Sequence, residues 1–265
     1  MSPVAVVDAH VHTGPPKYAA ISDYRAAMTA SGVAGAVLVQ HLGTTDNRYL
    51  LDAVRSDPGR FAGVAIADGV EHAAALLSGG FAGLRVAPSG LADGSGDAVF
   101  DVLADAGAVA SLTGPFASVV SDEFRSVVAE RPRLHVRLEH LGWFRYGPGS
   151  PDAEAFPSLL ELASLPNVSV MWSGFFANAG TPYPYPDALP YLERLLDAFG
   201  SERTMWSGDW NRAGLAAGEY DAAAELARSH WGLDARQQAD VLGRTAARVF
   251  GLPATVTSST EGAHP

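Results

Sequence analysis

The sequence predicts an α/β protein folded as a single (β/α)8 TIM barrel with an extra C-terminal helix. Three observations point to this fold class: the length of 265 residues, eight short apolar runs, and an amphipathic segment after each run. Parallel strands that are buried on both faces are apolar throughout, and each needs a crossover helix before the next strand. Eight such units close a barrel, and about 250 residues is the usual size of that fold.

The apolar runs are short and rich in β-branched residues, as expected for buried strands. Polar segments with glycine or helix-capping residues separate them, and the chain after the last run predicts one more helix over residues 234–250. We expect a barrel domain over residues 1–253 and a disordered tail over residues 254–265, where side chains are small and polar. The predicted strands are Val4–Val7, Val33–Val39, Phe61–Ala67, Phe81–Val86, Ala108–Leu112, Leu134–Leu138, Val168–Trp172 and Thr204–Trp206.

Composition argues against several classes of partner. The formal charge of −11 with no basic cluster disfavours nucleic acid and anionic membranes, because both are bound through lysine and arginine. Cysteine is absent, which removes disulfides, thiolate catalysis and cysteine-bound metals. No apolar run is long enough to span a bilayer, and the first residues lack the pattern of a signal peptide. We expect a cytoplasmic protein with a small-molecule substrate and no nucleic-acid or membrane partner, and homo-oligomer formation is left open.

Titratable side chains are concentrated at the ends of the predicted strands, where this fold forms its active sites. His10 and His12 end the first strand, His140 follows the sixth and Asp209 follows the eighth. Residues two positions apart on a strand point to the same side, and the first and last strands of a closed barrel are neighbours. A lone histidine at a strand end is usually a satisfied structural residue, but four converging groups are not explained in this way. We therefore predict that these four residues are catalytic.

Several segments of the chain resemble one enzyme family. They are VDAHVHTG, AVLVQHLGTTDNRYLLDAV, LEHLG, LASLPNVSVMWSG, FGSERTMWSGDWN and GRTAARVFGL. They look like successive blocks of the amidohydrolase superfamily, specifically its amidohydrolase-2 branch, which includes sugar lactonases and pyrone-dicarboxylate lactonases. The resemblance covers nearly the whole chain. It implies a TIM barrel with the strand-one histidines at His10 and His12, the strand-six histidine at His140 and the strand-eight aspartate at Asp209.

The same resemblance bears on metal content. A two-metal amidohydrolase site needs a bridging lysine or glutamate ending strand four and a histidine ending strand five, whereas these strands end in LRV and LTG. We therefore expect either no metal or one divalent ion, with zinc the best candidate. A single ion would be held by His10, His12 and Asp209, since two imidazoles and a carboxylate leave a position open for water. We expect Asp8 to help orient the histidine rings.

Predicted substrate contacts surround the catalytic residues. Arg85 is the best single contact for an anionic group, and the alternative is an ion-pair partner at the barrel rim. His41 either reaches the substrate or makes a structural hydrogen bond. The stretch FFANAGTPYPYPD after strand seven has four aromatic residues and no charge before its last residue, which predicts an apolar cover over the mouth. The predicted substrate-binding residues are Arg85, His41, Trp143, Phe175, Tyr183, Tyr185 and Trp210.

Three functions are compatible with these residues. The leading hypothesis is hydrolysis of a small cyclic ester, in which Asp209 activates water and histidines or one metal polarise the carbonyl. The second is a lyase on the same site, a decarboxylase or cyclase acting on an aromatic or unsaturated acid, because aromatic side chains surround the mouth. The third is a non-catalytic barrel that only binds a ligand. Turnover in a screen of lactones and carboxylic acids separates the third from the others, and loss of CO₂ identifies the second.

Overall fold

The computed structural model describes residues 5–88, 95–147, 149–210 and 217–253, and it confirms the predicted fold class. Eight parallel strands follow one another in sequence order around one sheet. Helical segments lie between them, so each connection is a crossover of the kind that parallel pairing requires. The strands are β1 (Val6–Val11), β2 (Val33–Val39), β3 (Phe61–Ala65), β4 (Gly83–Val86), β5 (Val109–Leu112), β6 (His135–Leu138), β7 (Val168–Trp172) and β8 (Thr204–Trp206).

The barrel is nearly closed between β8 and β1. Trp210, which lies beyond the end of β8, forms a parallel bridge with Val11, and its carbonyl accepts the N–H of His12 at 3.4 Å. Ser207 Oγ donates to the carbonyl of His10 at 2.9 Å. These contacts hold the carboxyl ends of the first and last strands side by side, which the predicted site requires.

Helices cover the outside of the barrel. Short 3-10 turns and two π-helical stretches, Leu226–His230 and Asp240–Arg244, interrupt or extend them. The predicted final helix is present as one continuous run, which begins after Asp234, whose carboxylate caps it. The α-helical segments are α1 (Ile21–Ala30), α2 (Arg48–Arg55), α3 (Val70–Ser78), α4 (Ser95–Ala106), α5 (Phe116–Val119), α6 (Asp122–Ala129), α7 (His140–Trp143), α8 (Phe156–Glu161), α9 (Phe175–Asn178), α10 (Leu189–Phe199), α11 (Ala217–Glu225), α12 (Ala235–Ala239) and α13 (Thr245–Phe250).

Two apolar clusters fill the molecule. The inner cluster contains alternate strand residues such as Val37 and Met171, together with Phe250 of α13. The outer cluster lies between strands and helices and contains strand residues of the opposite parity, such as Leu38 and Trp172. This division follows from the two-residue period of a strand, which sends neighbouring side chains to opposite faces. Because α13 contributes to the inner cluster, the C-terminal helix closes one end of the barrel.

The first strand is longer than its prediction. The apolar run that predicts it covers Val4–Val7, whereas the strand runs to Val11 and includes Asp8 and His10. Polar residues argue against a buried strand when they lack partners, whereas here Asp8 Oδ2 accepts a hydrogen bond from the Tyr220 hydroxyl at 2.8 Å. The other strands lie close to their predicted positions.

Some expectations concern residues that the structure does not describe. Residues 254–265, the predicted disordered tail, lie outside the described residues, so the boundary at residue 253 stays a prediction. Among the helices of the described ranges, none combines the length and the apolar character that a membrane crossing demands.

Candidate active site

His10 and His12 lie together at the carboxyl end of β1. Both rings are buried, and their Nε2 atoms are 3.1 Å apart. Between Asp8 and Val11 the pairing changes register, because three steps along β1 match two steps along β2. Such a bulge re-aims the side chains that follow it. It allows Ala9 to pack in the inner cluster while His10, the next residue, also faces the barrel interior.

A backbone carbonyl fixes the tautomer of His12. Its Nδ1 lies 2.8 Å from the carbonyl oxygen of Val39, and because a carbonyl can only accept, Nδ1 carries the proton. In the neutral form of this tautomer, the lone pair is on Nε2, which faces His10. A metal-binding histidine is held in the same way, with one nitrogen donating to an acceptor and the other left to bind the ion.

Asp209 faces the histidine pair from the segment after β8. Its Oδ1 lies 4.0 Å from His10 Nε2, and the side chain is only 1% exposed. The residue has a left-handed backbone with φ +52°, and its N–H donates to Ser207 Oγ at 3.0 Å. One ligand atom from each of His10, His12 and Asp209 lies within 4.8 Å of the others. This set fits a single divalent ion with imidazole and carboxylate ligands.

His140 joins the group from the segment after β6. Its ring centre lies 5.0 Å from that of His10, and its Nδ1 lies 2.7 Å from Ser173 Oγ. His10, Glu139 and His140 form a second set of groups within 4.8 Å of one another. The structure therefore brings the four residues predicted as catalytic into one buried group, and it adds Glu139.

The pKa of His10 lies well below its ordinary value. Burial is the largest cause, because a charged imidazole loses hydration, and positive charge at His12 and His140 lowers the pKa further. His10 is therefore neutral near pH 7, so one of its ring nitrogens keeps a lone pair.

A buried ion cluster adjoins His10. Glu139 Oε2 accepts hydrogen bonds from Arg85 Nε at 3.0 Å and from Arg85 Nη2 at 2.8 Å. Glu139 Oε1 lies 3.3 Å from Arg137 Nη2 and accepts the Ser111 hydroxyl at 2.5 Å. Arg137 Nη2 is also 3.5 Å from His10 Nδ1. One carboxylate thus holds two arginines inside the barrel.

Electrostatics keep this cluster ionised. Burial by itself raises the pKa of Glu139, but the positive charges of Arg85 and Arg137 outweigh burial and hold that pKa at about 2. Burial lowers the pKa of Arg137 to about 10, while the charge of Glu139 opposes a larger decrease. Glu139 is therefore an anion and Arg137 a cation at neutral pH.

The expected role of Asp8 is not observed. Its Oδ1 accepts the backbone N–H of His10 at 3.0 Å, and its Oδ2 is occupied by Tyr220. Burial raises the pKa of Asp8 to about 6, although these hydrogen bonds oppose the rise. The groups that face the outer ring nitrogens are instead the Val39 carbonyl at His12 and Glu139 Oε1, which lies 3.7 Å from His10 Nδ1. Asp8 cannot reach the rings because it precedes the bulge and faces the outer side of the strand.

Arg85 and His41 were predicted to contact substrate. Arg85 is buried and, besides its two hydrogen bonds to Glu139, donates from Nη1 to the Gln40 carbonyl at 3.1 Å. The ion pair considered as the alternative is therefore present, and an anion contact stays a prediction. His41 lies at the outer rim, with Nδ1 3.3 Å from Lys17 Nζ, and its contact with substrate also stays a prediction.

Two predicted tryptophan contacts have different surroundings. The ring centre of Trp143 lies 4.4 Å from that of His140, so this indole borders the group of catalytic residues. Trp210 packs against Tyr24 and Tyr220, with ring centres 5.8 and 5.2 Å away, and it is 8% exposed. These contacts place Trp210 in the outer core. The remaining predicted aromatic residues, Phe175, Tyr183 and Tyr185, line one cavity beside β8.

Three residues of the site, Arg137, Ser111 and Glu139, were not predicted to have a function, although Glu139 follows the sixth predicted strand. A signal for two of them is present in the strand-six sequence HVRLEH, where arginine and glutamate alternate with apolar residues. Two residues with this spacing face the same side of a strand, and the apolar neighbours face the helices. Opposite charges on the inner side of a barrel strand require a buried ion pair.

His140 is presented by a left-handed turn, α7. The φ angles of His140, Leu141, Gly142 and Trp143 are +49°, +54°, +68° and +63°. Each L-residue in this conformation costs about 1–2 kcal/mol, so such runs are rare outside sites where the surrounding structure enforces them. Here the turn brings the His140 imidazole and the Trp143 indole to the same side of the strand end.

Gly142→Ala is expected to destabilise the protein by about 2–4 kcal/mol. An added Cβ would lie 2.9 Å from Val119 Cγ2, and its φ of +68° disfavours any side chain. Gly251→Ala is the matched control, because Gly251 has the same φ of +68° and nothing within 4 Å of its Cβ position. We expect about 1 kcal/mol there. Urea unfolding measures both, and equal losses would contradict the steric explanation.

Comparison with known proteins assigns the family. The model of the amidohydrolase family matches residues 7–252. The chain belongs to the amidohydrolase family. This agrees with the resemblance noted in its sequence blocks, and the match spans nearly all of the described barrel.

This amidohydrolase is similar to a lactonase and to solved structures. It is 32% identical over 218 residues to L-fucono-1,5-lactonase of Burkholderia ambifaria, covering 76% of this chain and 73% of the relative. A protein of Pseudomonas putida, whose proposed identity is a 2-pyrone-4,6-dicarboxylic acid hydrolase, is 26% identical with a TM-score of 0.77, covering 94% and 98%. An amidohydrolase of Burkholderia multivorans with bound zinc is 21% identical with a TM-score of 0.76, covering 94% and 100%.

Proposed function

We propose that this amidohydrolase opens a small lactone with water. The observation that carries the proposal is the convergence of His10, His12 and Asp209 in one buried group at the barrel mouth. Sequence similarity to the L-fucono-1,5-lactonase of Burkholderia ambifaria supports the choice of a cyclic ester. Hydrolysis of an ester needs a base for water and a group that stabilises charge on the carbonyl oxygen, and these residues offer both.

Asp209 is the proposed general base. Its carboxylate takes a proton from water as the water oxygen bonds to the carbonyl carbon of the lactone. The ring C–O bond then breaks, and the leaving ring oxygen takes a proton from Asp209 or from His140. Ser173, 2.7 Å from His140 Nδ1, holds the imidazole of His140 in place for this transfer. The product is an open-chain hydroxy acid.

One divalent ion fits the same residues, and we propose zinc. His10, His12 and Asp209 would hold it, since imidazole nitrogens and a carboxylate oxygen are common zinc ligands. When bound, such an ion supplies Lewis-acid polarisation of the carbonyl. The bound zinc in the Burkholderia multivorans amidohydrolase supports this choice of metal. The Val39 carbonyl and Glu139 lie where they would orient the two imidazoles.

We expect at most one tightly bound divalent ion per chain. β4 ends in Arg85 and Val86 rather than in a bridging lysine or glutamate, and the two candidate ligand sets share His10, so they do not form two separate sites. Elemental analysis of the purified protein measures the content, and two tightly bound ions per chain would refute this expectation. If one ion is present, His12→Ala should remove it, whereas Asp68→Asn, at the same rim but 65% exposed, should retain it.

A panel of lactones tests the proposed reaction. The expected result is ester hydrolysis above the uncatalysed rate for at least one five- or six-membered lactone. The release of protons, titrated at constant pH, measures this hydrolysis. Release of CO₂ from an aromatic or unsaturated acid, without lactone hydrolysis, would replace the proposal by the lyase alternative. Absence of any turnover would leave a ligand-binding barrel.

A small-molecule substrate and a cytoplasmic location complete the proposal. The net charge of −11 supports the absence of nucleic-acid and anionic-membrane partners, because these are bound through basic surfaces. Homo-oligomer formation stays a prediction, which size-exclusion chromatography with light scattering measures.

A further inference from the structure

The cavity beside β8 lies next to the candidate active site, between β8, α11 and the segment after β7. Its volume is about 150 Å³, and the described residues that line it include no charged side chain. A space of about this volume is large enough for a benzene-sized molecule. Most of the wall is aromatic or aliphatic, from Phe175, Phe176, Tyr183, Tyr185, Trp206 and Leu226.

The aromatic wall is fixed by its own contacts. Phe175 stacks on Tyr185 with ring centres 5.8 Å apart and planes inclined by 26°. Tyr183 meets Tyr185 edge to face, also at 5.8 Å. Trp206 Nε1 donates to the carbonyl of Ala223 on α11 at 3.1 Å. The small side chain of Ala223 also lines the cavity, so this hydrogen bond joins β8 to α11 at the wall of the cavity.

The cavity shares its inner wall with the catalytic residues. Gly174 lines it, and a Cβ at Gly174 would lie 3.1 Å from His140 Nδ1. Ser207 also lines it and contacts two site residues, through its hydrogen bonds with the His10 carbonyl and the Asp209 N–H. The cavity is therefore separated from His140 and Asp209 by a single residue on each side, Gly174 and Ser207.

We propose that this cavity, the side pocket, receives an apolar substituent on the lactone ring, either a short alkyl chain or a phenyl group. The inference rests on the proposed lactone hydrolysis and narrows its substrate class to hydrophobic lactones. Hydroxyl groups of a sugar lactone would lose hydration in this pocket, where the described wall is apolar apart from the side-chain hydroxyls of Tyr183, Tyr185 and Ser207 and the indole N–H of Trp206. Each methylene moved from water into an apolar pocket favours binding by about fourfold.

Three six-membered lactones of different substituents test the side pocket. δ-Nonalactone carries a butyl chain, δ-valerolactone carries none, and glucono-1,5-lactone carries hydroxyl groups. We expect kcat/KM for δ-nonalactone to exceed that for δ-valerolactone at least about tenfold, and the sugar lactone to be the poorest substrate. If the sugar lactone is the best substrate, the inference fails while the proposed function stands.

Filling the pocket provides the second measurement. Ala223→Leu should lower the ratio of kcat/KM for δ-nonalactone over δ-valerolactone at least about tenfold, because the added side chain occupies the space for the butyl chain. Glu225→Leu is the matched control, since Glu225 is exposed on the same helix and does not line the pocket, and should leave the ratio unchanged. Ala222→Val, which also alters the wall, replaces Ala223→Leu if that variant does not fold. An unchanged ratio in a folded pocket variant would overturn the inference.

Absence of turnover with every lactone would instead overturn the proposed function. In that case, calorimetry measures the affinity of the wild type and of Ala223→Leu for δ-nonalactone. Binding that Ala223→Leu weakens at least about tenfold would support an apolar ligand in the side pocket. Absent binding, or equal binding by wild type and variant, would reject it.

Discussion

Asp209→Asn is expected to lower kcat for lactone hydrolysis at least about 100-fold. A general base typically contributes 10²- to 10⁴-fold, and asparagine keeps the shape of the side chain but removes its basic oxygen. The backbone should tolerate the change, because asparagine adopts the left-handed conformation seen at φ +52° as readily as aspartate. Steady-state kinetics measures the effect, and metal content measured on the same preparation separates loss of the base from loss of an ion.

Asp68→Asn is the control for this experiment. Asp68 also follows a strand, but its carboxylate is 65% exposed and pairs with His72 at 2.6 Å, away from the histidine pair. We expect kcat to change less than about threefold, as for a surface substitution. If Asp209→Asn retains near-normal turnover while His140→Ala does not, the base is His140, and the assignment of Asp209 is wrong.

Glu139→Gln is expected to destabilise the protein by about 3–5 kcal/mol at pH 7. The substitution leaves Arg85 and Arg137 inside the barrel without their shared anion, and breaking a buried ion pair has this cost. Asp105→Asn is the matched control, because Asp105 pairs with Arg133 at 2.8 Å on the surface, with both side chains about three-quarters exposed. A surface pair contributes about 0–1 kcal/mol. Equal losses in urea unfolding would show that the buried cluster is not a major source of stability.

The pH dependence of stability gives a second measurement on Glu139. Its pKa is about 2 in the folded protein against an ordinary value of 4.5, and the gap corresponds to about 3 kcal/mol. This contribution is complete above pH 4.5 and is lost as the pH falls towards 2. The stability difference between wild type and Glu139→Gln should therefore shrink over that interval. A difference that is constant with pH would contradict the ionised state of Glu139.

The barrel was predictable because its signal is repeated eight times. Each apolar run followed by an amphipathic segment indicates the same local unit, so an error in one strand boundary does not change the fold. The first strand illustrates such an error. The apolar run that marks it stops at Val7, before the charged Asp8, and the partner that allows Asp8 to be buried, Tyr220, lies far away in sequence. Long-range partners of this kind are invisible to a local pattern.

The grouping of the four candidate catalytic residues was predictable for a similar reason. In a closed barrel the last strand lies beside the first. His10 at the end of β1 and Asp209 after β8 are therefore neighbours, whatever the details of side-chain packing. The contacts that orient the histidine rings, from the Val39 carbonyl to His12 and from Glu139 to His10, were not predictable. They depend on the bulge after Asp8, which changes the facing of His10, and a one-residue shift in register has no clear sequence signal.

Arg85 shows where position alone is insufficient. A strand-end arginine suits an anion contact or an ion pair equally well, and the choice depends on which acceptor lies opposite. That acceptor is Glu139, on β6, and both oxygens of its carboxylate are engaged within the cluster. The ion pair was therefore predictable only as an alternative, because no role was predicted for Glu139.

The left-handed turn at α7 sets a limit on engineering this protein for heat resistance. Three of its four residues carry side chains in a conformation that glycine adopts more easily, so glycine at Leu141 or Trp143 would relieve backbone strain. Replacing either residue also removes a large apolar side chain, and in the case of Trp143 a neighbour of His140. Selection of consensus or glycine-scanning variants for melting temperature alone would favour substitutions that relax this turn. Such variants would be more stable, but their His140 imidazole would be displaced from the site.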